Sequence, residues 1–430
     1  MRTKLTITKW KKIVLLLGDI FCFVAGLISA LIWRFGFSEL NNQWLLHRAP
    51  FLIIFVIWLL AFYVAGLYTL PKAKNSRSFF ALLFGVFSFN ALSAIFIFYF
   101  LPYFFISPKV VLFLNLAITF VLVVIWRAVF NGISILPPLK LALVGAGAEI
   151  DELINDINKH PQNGYKCVLH IKNENESVNL ENKLKELDID VVVVAIDYRH
   201  SPELQKGLFR CIPLHIQFFD FVDFYEQYFQ RVPLAVIDRA WFLENINETS
   251  KQFVSQLKRF LDLLMAFLLG IIGLVLFPFI ATTLLLTMGR PLFFIQLRVG
   301  QFEKSFKIIK FRSYGSEGND DTVTRFGNFL RKSHLDEIPQ LWNIIKGEMS
   351  FVGPRPEQVK IVAEFKNKIP FYTERLLVRP GIAGWAQLHQ PKARAEDALH
   401  KLQYDLFYIK HRSLLFDLEI ILKTLRILLA

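Results

Sequence analysis

Two adjacent carboxylates, Asp336 and Glu337, stand between short segments rich in lysine and arginine. Neighbouring carboxylates repel each other, so both stay ionised only where cations or a metal ion lie close by. Carboxylates surrounded by Lys and Arg are expected where phosphate groups bind and a phosphorus atom is attacked. The alternative is an exposed acidic helix start beside a basic surface, because helices favour carboxylates in their first turn. The dipeptide alone favours the alternative, whereas its surroundings indicate phosphoryl chemistry.

Basic residues on both sides of the pair are the candidates for binding phosphate. They are Lys307, Lys310, Arg312, Arg331, Arg355 and Arg379. Together they predict a positive field around the two carboxylates. For each of them singly, an ordinary ion pair at the surface or in the structure is an equally good interpretation.

The composition indicates a membrane protein. The chain has 430 residues, room for two or three domains, and 54% of them are hydrophobic. Its mean hydropathy of +0.41 is too high for an ordinary soluble enzyme. The net charge of +13 suits an anionic partner, and the hydrophobicity favours a membrane surface over nucleic acid. The cysteines, Cys22, Cys167 and Cys211, are too few and too widely spaced for a disulfide framework or a metal site.

Four hydrophobic runs near the N-terminus are each about long enough to cross a bilayer. They cover residues 13–33, 51–70, 79–101 and 110–126. Lys and Arg are concentrated before the first run and between the second and third. The positive-inside rule therefore predicts that the N-terminus and everything after the fourth run lie in the cytoplasm. Asp19, inside the first run, is interpreted either as functional or as a helix-packing or snorkelling residue.

A small Rossmann-like α/β module is predicted after the spans, within residues 137–247. Buried strands at 141–144, 191–196 and 214–218, with a helix at 148–159 and helical patterns between them, indicate a parallel sheet. A dinucleotide site at Gly145-Ala146-Gly147 is the sharper hypothesis. Ile150 stands where a third glycine is expected, however, so we expect no cofactor here.

A further hydrophobic run, residues 260–288, is long enough for a fifth span. A fifth crossing would carry the basic segment after it out of the cytoplasm. Because Pro278 removes a backbone donor and bends a helix, we expect a re-entrant helix pair that breaks near it. At the C-terminus, residues 414–429 predict an interfacial amphipathic helix, with a core-packing helix as the alternative.

The segment from Lys258 to Tyr408 resembles the bacterial sugar transferases, the monotopic phosphoglycosyl transferases that act on polyprenyl phosphate. Matching residues run in family order through the membrane hairpin, the basic segment, the carboxylate pair and the C-terminal motifs. They are Lys258, Arg259, Asp262, Pro278, Gly289-Arg290-Pro291, Arg298, Lys307, Lys310, Arg312, Arg331, Asp336-Glu337, Pro354-Arg355-Pro356, Arg379-Pro380-Gly381, Tyr404-Asp405 and Tyr408. The four preceding spans and the α/β module resemble the long form of this family. Arg379 and Ala383 depart from the Lys and Thr that are common at these positions.

The resemblance implies a transmembrane region at residues 1–136, an α/β module at 137–247 and a mostly helical catalytic domain at 248–430 with a re-entrant membrane helix at 258–288. It implies that Asp336 attacks a UDP-sugar, releases UMP and passes the phosphosugar to undecaprenyl phosphate. Glu337 would help to bind Mg²⁺ or tune its neighbour, and the basic residues would bind phosphate. The resemblance also implies a homodimer in the bacterial inner membrane, with its catalytic domain on the cytoplasmic face, that starts surface polysaccharide synthesis.

Two other functions stay open at this stage. A membrane-bound nucleotide-sugar dehydratase or epimerase would need a full glycine turn and a Tyr-x-x-x-Lys pair, and neither Tyr198 nor Tyr225 is followed by Lys at that spacing. The other alternative is an inactive scaffold of a polysaccharide export complex. Such a scaffold would have no reason to keep both carboxylates among the basic residues that surround them. The sugar that is transferred cannot be read from the sequence.

Overall fold

The computed structural model describes the chain in segments separated by gaps. These segments are residues 4–68, 77–100, 109–133, 138–160, 163–172, 180–195, 202–214, 216–246, 252–314, 324–391 and 397–429. The chain forms two compact units, one containing residues 1–141 and the other containing residues 191–430, and the α/β module is shared between them.

Long apolar helices make up most of the first unit. They are α1 (Lys4–Phe35), α2 (Leu40–Val64), α3 (Arg77–Phe100) and α4 (Lys109–Ile133). Each is long and apolar enough to cross a bilayer, as the hydrophobic runs predicted. Their buried faces share a core rich in aromatic rings, where Phe23 meets Trp58 and Phe62 edge to face.

Asp19 in α1 is fully buried and forms an ion pair with Arg127 of α4. Arg127 also donates to the backbone carbonyl of Leu67 at 2.6 Å. Because a buried charge without a partner is strongly destabilising, each ion of this pair requires the other. The pair joins α1, α4 and the segment that follows α2, which supports the packing role for Asp19.

The α/β module contains a four-stranded sheet with strand order β2-β1-β3-β4. Its strands are β1 (Leu139–Val144), β2 (Tyr165–Ile171), β3 (Val191–Val194) and β4 (Gln217–Asp220). The helices of this region are α5 (Ala148–Lys159), α6 (Leu180–Glu186), α7 (Pro202–Arg210), α8 (Phe221–Phe229) and α9 (Arg239–Asn245). The strands β3 and β4 are parallel, as predicted.

Two details of the predicted sheet were wrong. The edge strand β2 was not predicted. It mixes polar and apolar residues and is only partly buried, so it lacks the continuous apolar run that marks β3. The third predicted strand, residues 214–218, is displaced to 217–220, because Leu214 ends a 3-10 turn (Ile212–Leu214).

The turn after β1 leads into a helix start that is rich in carboxylates. Glu152 of α5 accepts hydrogen bonds from the Tyr225 hydroxyl at 2.9 Å and from Arg231 at 2.5 Å. Glu149, in the first turn, accepts from Gln403 at 3.1 Å. A pyrophosphate would bind at the positive end of the helix dipole, where the negative charges of Glu149 and Asp151 in the first turn would repel it. The arrangement therefore disfavours a dinucleotide at this turn.

The hydrophobic run predicted as a re-entrant pair is a single helix, α10 (Gln252–Met288), with Pro278 inside it. The expected break at Pro278 does not divide the helix. A proline inside a helix removes one backbone hydrogen bond, while the bonds on both sides keep the neighbouring residues helical. By length and composition, α10 is also able to cross a membrane.

The remainder of the second unit is mostly helical, as predicted, with short strands that the sequence analysis missed. Its elements are β5 (Phe293–Val299), β6 (Ser305–Phe311), α11 (Arg325–Lys332), α12 (Leu341–Lys346), β7 (Ser350–Val352), α13 (Val359–Lys368), β8 (Gly381–Ala383), α14 (Trp385–His389), α15 (Ala398–His411) and α16 (Leu414–Leu429). The strands β5 and β6 form an antiparallel hairpin, and β7 pairs with β8 in parallel.

One face of α16 belongs to the core of this unit. Ile420 is fully buried there, in a cluster with Trp385 and Leu406. On another face, Leu415 is 80% exposed. The helix thus combines the core-packing alternative with an exposed apolar face of the kind that an interfacial helix requires.

Candidate active site

Asp336 and Glu337 lie in a 3-10 turn (Leu335–Gln340) between α11 and α12. Asp336 is only 8% exposed, so the pair is not the exposed acidic helix start of the alternative interpretation. The helix α10 passes close behind this turn. A Cβ atom on Gly273 would lie 2.8 Å from Ile338, so only glycine permits this approach without a shift.

Lys310 on β6 supplies a positive charge to Glu337. Its Nζ lies 2.5 Å from Oε1 of Glu337, and both side chains are largely buried. Asn343 in α12 donates to the backbone carbonyl of Lys307 at 2.8 Å, which ties the helix after the pair to the same strand. The hairpin and α12 therefore position Lys310 and the carboxylates together.

His334 is a third member of this group, and the sequence analysis missed it. Its Nδ1 lies 3.9 Å from Oε2 of Glu337. Burial raises the pKa of Glu337, but His334 and Lys310 outweigh burial and hold this pKa at about 2. The carboxylate of Glu337 in turn raises the pKa of His334. The signal that could have found His334 was its position two residues before Asp336.

Asp336 has a different electrostatic environment. Burial first, and then the negative charge of Glu337, raise its pKa, against the opposing charges of Lys310, His334 and Arg331. Within the described segments, no group donates a hydrogen bond to the Asp336 carboxylate. Two carboxylates whose environments separate their pKa values are suited to separate roles. The higher pKa makes Asp336 the candidate nucleophile of the two, with Glu337 as a negative charge beside it.

The two carboxylates also fit the requirements of Mg²⁺. This ion uses oxygen ligands and is often bound by one or two carboxylates, while water and substrate phosphates complete its coordination. Asp336 offers a carboxylate with no competing donor. Among the residues that the structure describes, no cluster of three or more His, Cys, Asp or Glu side chains could hold a metal. The protein would therefore supply Asp336 and Glu337, and substrate and water would supply the rest.

Arg331 and Arg355 complete the positive surroundings of the pair. Arg331, in the last turn of α11, lies over the Tyr314 ring at 5.2 Å from its centroid, and its charge lowers the pKa of Asp336. Arg355 is close enough to Glu337 to lower the pKa of that carboxyl group. Both arginines are exposed, so both are available to an incoming anion.

Two largely buried arginines hold the backbone around Arg355. Arg298 donates to the carbonyl of Pro356 at 3.1 Å, and Arg375 donates to the carbonyl of Arg355 at 3.1 Å. Arg375 also pairs with Asp405 at 2.8 Å, and both of these side chains are almost inaccessible to solvent. This buried pair fixes the loop from which the Arg355 side chain extends.

The structure does not bring the other three predicted phosphate-binding residues to the pair. Lys307 is exposed on β6, three residues before Lys310 and therefore on the opposite face of the strand. Arg312 donates to the backbone carbonyls of residues 288–290 and so caps the end of α10. Arg379 lines a separate cavity.

The residues predicted to begin the membrane hairpin anchor α10 to the rest of its unit. Lys258 pairs with Asp417 at 2.7 Å. Arg259 donates to two backbone carbonyls at the end of α12, at 2.6 and 2.9 Å. Asp262 accepts from the Ser350 hydroxyl at 3.1 Å and from a neighbouring backbone amide. Each contact fixes the start of the helix.

The apolar helices indicate a membrane protein, and the two carboxylates of its second unit stand among basic residues. The chain belongs to the bacterial sugar transferase family. The profile of that family matches residues 253–430. The uncharacterized sugar transferase EpsL of Bacillus subtilis is 36% identical over 182 residues, which cover 40% of this chain and 86% of that protein.

Two further relatives have more specific names. The UDP-N-acetylgalactosamine-undecaprenyl-phosphate N-acetylgalactosaminephosphotransferase of Aeromonas hydrophila is 36% identical over 242 residues, 53% of this chain and 56% of that protein. The UDP-glucose:undecaprenyl-phosphate glucose-1-phosphate transferase of Escherichia coli is 37% identical over 182 residues, 39% of each chain. The chain thus spans about half the length, or less, of these two relatives.

Proposed function

We propose that this protein is a phosphoglycosyl transferase that moves a sugar-1-phosphate from a UDP-sugar to undecaprenyl phosphate. The Asp336 carboxylate attacks the sugar-bearing phosphorus, the bond from that phosphorus to UMP breaks, and UMP leaves with the electron pair. A phosphosugar remains on Asp336. A phosphate oxygen of undecaprenyl phosphate then attacks the same phosphorus and releases the Asp336 carboxylate. The product, a polyprenyl diphosphate sugar, starts surface polysaccharide synthesis.

This proposal rests on the difference between the environments of Asp336 and Glu337. A carboxylate nucleophile replaces one difficult exchange between two anions with two easier steps. Asp336, with its raised pKa and no donor holding its oxygens, is suited to attack. Arg331 and Arg355 are placed to neutralise charge that spreads over the phosphate oxygens during each step.

We propose that Mg²⁺ binds at Asp336 and Glu337. When bound, the ion would reduce the negative charge on the phosphate oxygens. Glu337 is ionised at neutral pH because Lys310 and His334 hold its pKa at about 2. It therefore offers a permanent negative charge to the ion. Lys310 fixes the orientation of this carboxylate through the contact of 2.5 Å.

We propose that α10 bends at Pro278 while it stays one continuous helix, so that it enters one leaflet and returns to the cytoplasmic face of the bacterial inner membrane. Both of its ends contact one compact unit: Asp262 bonds to Ser350, and Leu284 and Met288 cluster with Phe311. A helix that crossed a hydrocarbon core of about 30 Å would separate its ends on opposite sides. The positive-inside rule predicts that this unit lies in the cytoplasm, where UDP-sugars occur. The homodimer that the family resemblance implies stays a prediction.

The test is an Asp336→Asn variant of the full-length protein in nanodiscs that contain undecaprenyl phosphate. A panel of UDP-sugars is assayed for UMP release and for transfer of label into a lipid extract. Loss of the nucleophile should lower turnover by about 100-fold or more. The control is Asp223→Asn, at an exposed position on α8. A folded Asp336→Asn protein that kept more than about a tenth of the wild-type UMP release would refute the assignment.

A further inference from the structure

A second cationic cavity lies beside the start of α10. Its volume is 410 Å³, within the range of small-molecule sites. The basic residues that line it are Lys258, Arg259, Arg379 and Arg412. Asp262 lines this cavity, and Gly273 packs behind the Asp336 turn. At about 1.5 Å per residue along α10, these two residues are about 16 Å apart. The cavity is thus separate from the candidate active site.

The cations of this cavity exceed the carboxylates around them. Lys258 is neutralised by Asp417 at 2.7 Å. Arg259 donates to backbone carbonyls, which are neutral, so only Asp262 among the lining residues partly offsets its charge. Asp262 is the one carboxylate among the lining residues. An excess of positive charge therefore remains at a partly buried surface.

Arg379 is the cation in this cavity whose hydrogen-bond donors are not used by other described residues. Within the part of the chain that the structure describes, its guanidinium has no hydrogen bond or ion pair. It lies close enough to Arg259 for the two charges to repel each other, and both side chains are half-buried. Like charges held together away from bulk water are unfavourable unless an anion lies between them. Such a pair of arginines forms a binding site for an anionic group.

The cavity also contains an acceptor that lacks a donor. Oδ1 of Asp262 accepts from the Ser350 hydroxyl, whereas Oδ2 is buried with no hydrogen bond. A buried carboxylate oxygen without a donor costs free energy, and a ligand hydroxyl that reached it through a shift of the Asp262 side chain would recover that free energy. The ligand should therefore carry a hydroxyl group as well as a negative charge.

We propose that this cavity binds a hydroxyl-bearing phosphate ester at a site separate from the Asp336–Glu337 pair. Arg259 and Arg379 hold the phosphate, and Asp262 accepts from the hydroxyl. The headgroup of phosphatidylglycerol and soluble glycerol 3-phosphate share this chemistry. Phe260, next to Arg259, is 61% exposed where the apolar part of α10 begins, which favours the lipid.

The experiment uses the full-length protein with one lipid arm and one soluble arm. Native mass spectrometry measures phosphatidylglycerol retained from mixed phosphatidylcholine and phosphatidylglycerol nanodiscs. Calorimetry in detergent measures glycerol 3-phosphate binding. Arg379→Gln should weaken binding by about tenfold or more, since hydrogen bonds to charged groups are lost. Lys360→Gln, which removes the same charge from an exposed position on α13, should leave it unchanged.

Each outcome decides the proposal. Phosphatidylglycerol retention that Arg379→Gln weakens by about tenfold or more assigns the site to the lipid, and glycerol 3-phosphate binding with the same sensitivity assigns it to the soluble ester. Binding of neither ligand to the wild-type protein would overturn the proposal. So would binding that is equal in the wild type and in Arg379→Gln. If Arg379→Gln fails to fold, Arg379→Lys, which removes the planar fork of donors but keeps the charge, replaces it with the same expectations. Binding should persist in Asp336→Asn, which separates this site from the proposed reaction.

Discussion

Replacing Lys310 with methionine should destabilise the protein at neutral pH and much less in acid. The pKa of Glu337 is about 2, against 4.5 for an ordinary glutamate. At about 1.4 kcal/mol per pKa unit, this difference stabilises the folded state by about 3 kcal/mol above pH 4.5. His334 and Lys310 both contribute to it. Because the pKa is lower in the folded state, the contribution is present above pH 4.5 and is lost as the pH falls towards 2.

In Lys310→Met, Glu337 keeps its burial, which raises its pKa, and loses one of the three groups, His334, Lys310 and Arg355, that lower it. We expect the free energy of unfolding to fall by about 2 kcal/mol near neutral pH, and the melting temperature to fall by roughly 4–8 °C. Thermal unfolding in detergent, measured near neutral pH and near pH 3, gives both values. The difference between wild type and variant should shrink in acid.

Lys366→Met is the matched control. Lys366 forms an ion pair of 2.9 Å with Glu303, but the two side chains are 49% and 52% exposed. Exposed pairs contribute about 0–1 kcal/mol, so this variant should melt close to the wild type. The electrostatic account of Glu337 would be refuted by a loss in Lys310→Met that is the same at both pH values, or by an equal loss in the control.

Two further predictions concern the loop of Arg355 and the topology. Arg375→Lys keeps a cation beside Asp405 but shortens the side chain that donates to the Arg355 carbonyl. It should raise the KM for UDP-sugar by about tenfold with a smaller loss of stability, whereas an unchanged KM would contradict the positioning role. Asn367→Cys, exposed on α13 and made in a background without native cysteines, should react with an impermeant thiol reagent only after the cytoplasmic side is opened. Reaction in intact cells would refute the cytoplasmic placement.

The helical spans and the carboxylate pair could be predicted because their signals are local. A run of apolar residues long enough for a bilayer is visible without knowing what it packs against. Asp336 and Glu337 were predicted as a site from the basic residues around them in the chain. The structure places Lys310 beside Glu337, and Arg331 and Arg355 are near enough for their charges to lower the pKa values of the pair.

Two predictions failed for different reasons, one because of long-range strand pairing and one because of local hydrogen bonding. The edge strand β2 carries no continuous apolar run, and its place in the sheet depends on pairing with a distant strand. The break expected at Pro278 did not divide α10, because hydrogen bonds on both sides of a proline can persist.

The sequence by itself determined that this protein has apolar helices of membrane-spanning length and that two neighbouring carboxylates sit among many cations. Only the tertiary structure decided which of these cations lie close to the two carboxylates. Strand alternation turns Lys310 towards Glu337 and Lys307 away from it, and the end of α10 takes the donors of Arg312. Charge can be counted along a chain, but whether a charged group faces a site, a helix end or solvent depends on contacts between residues that are distant in sequence.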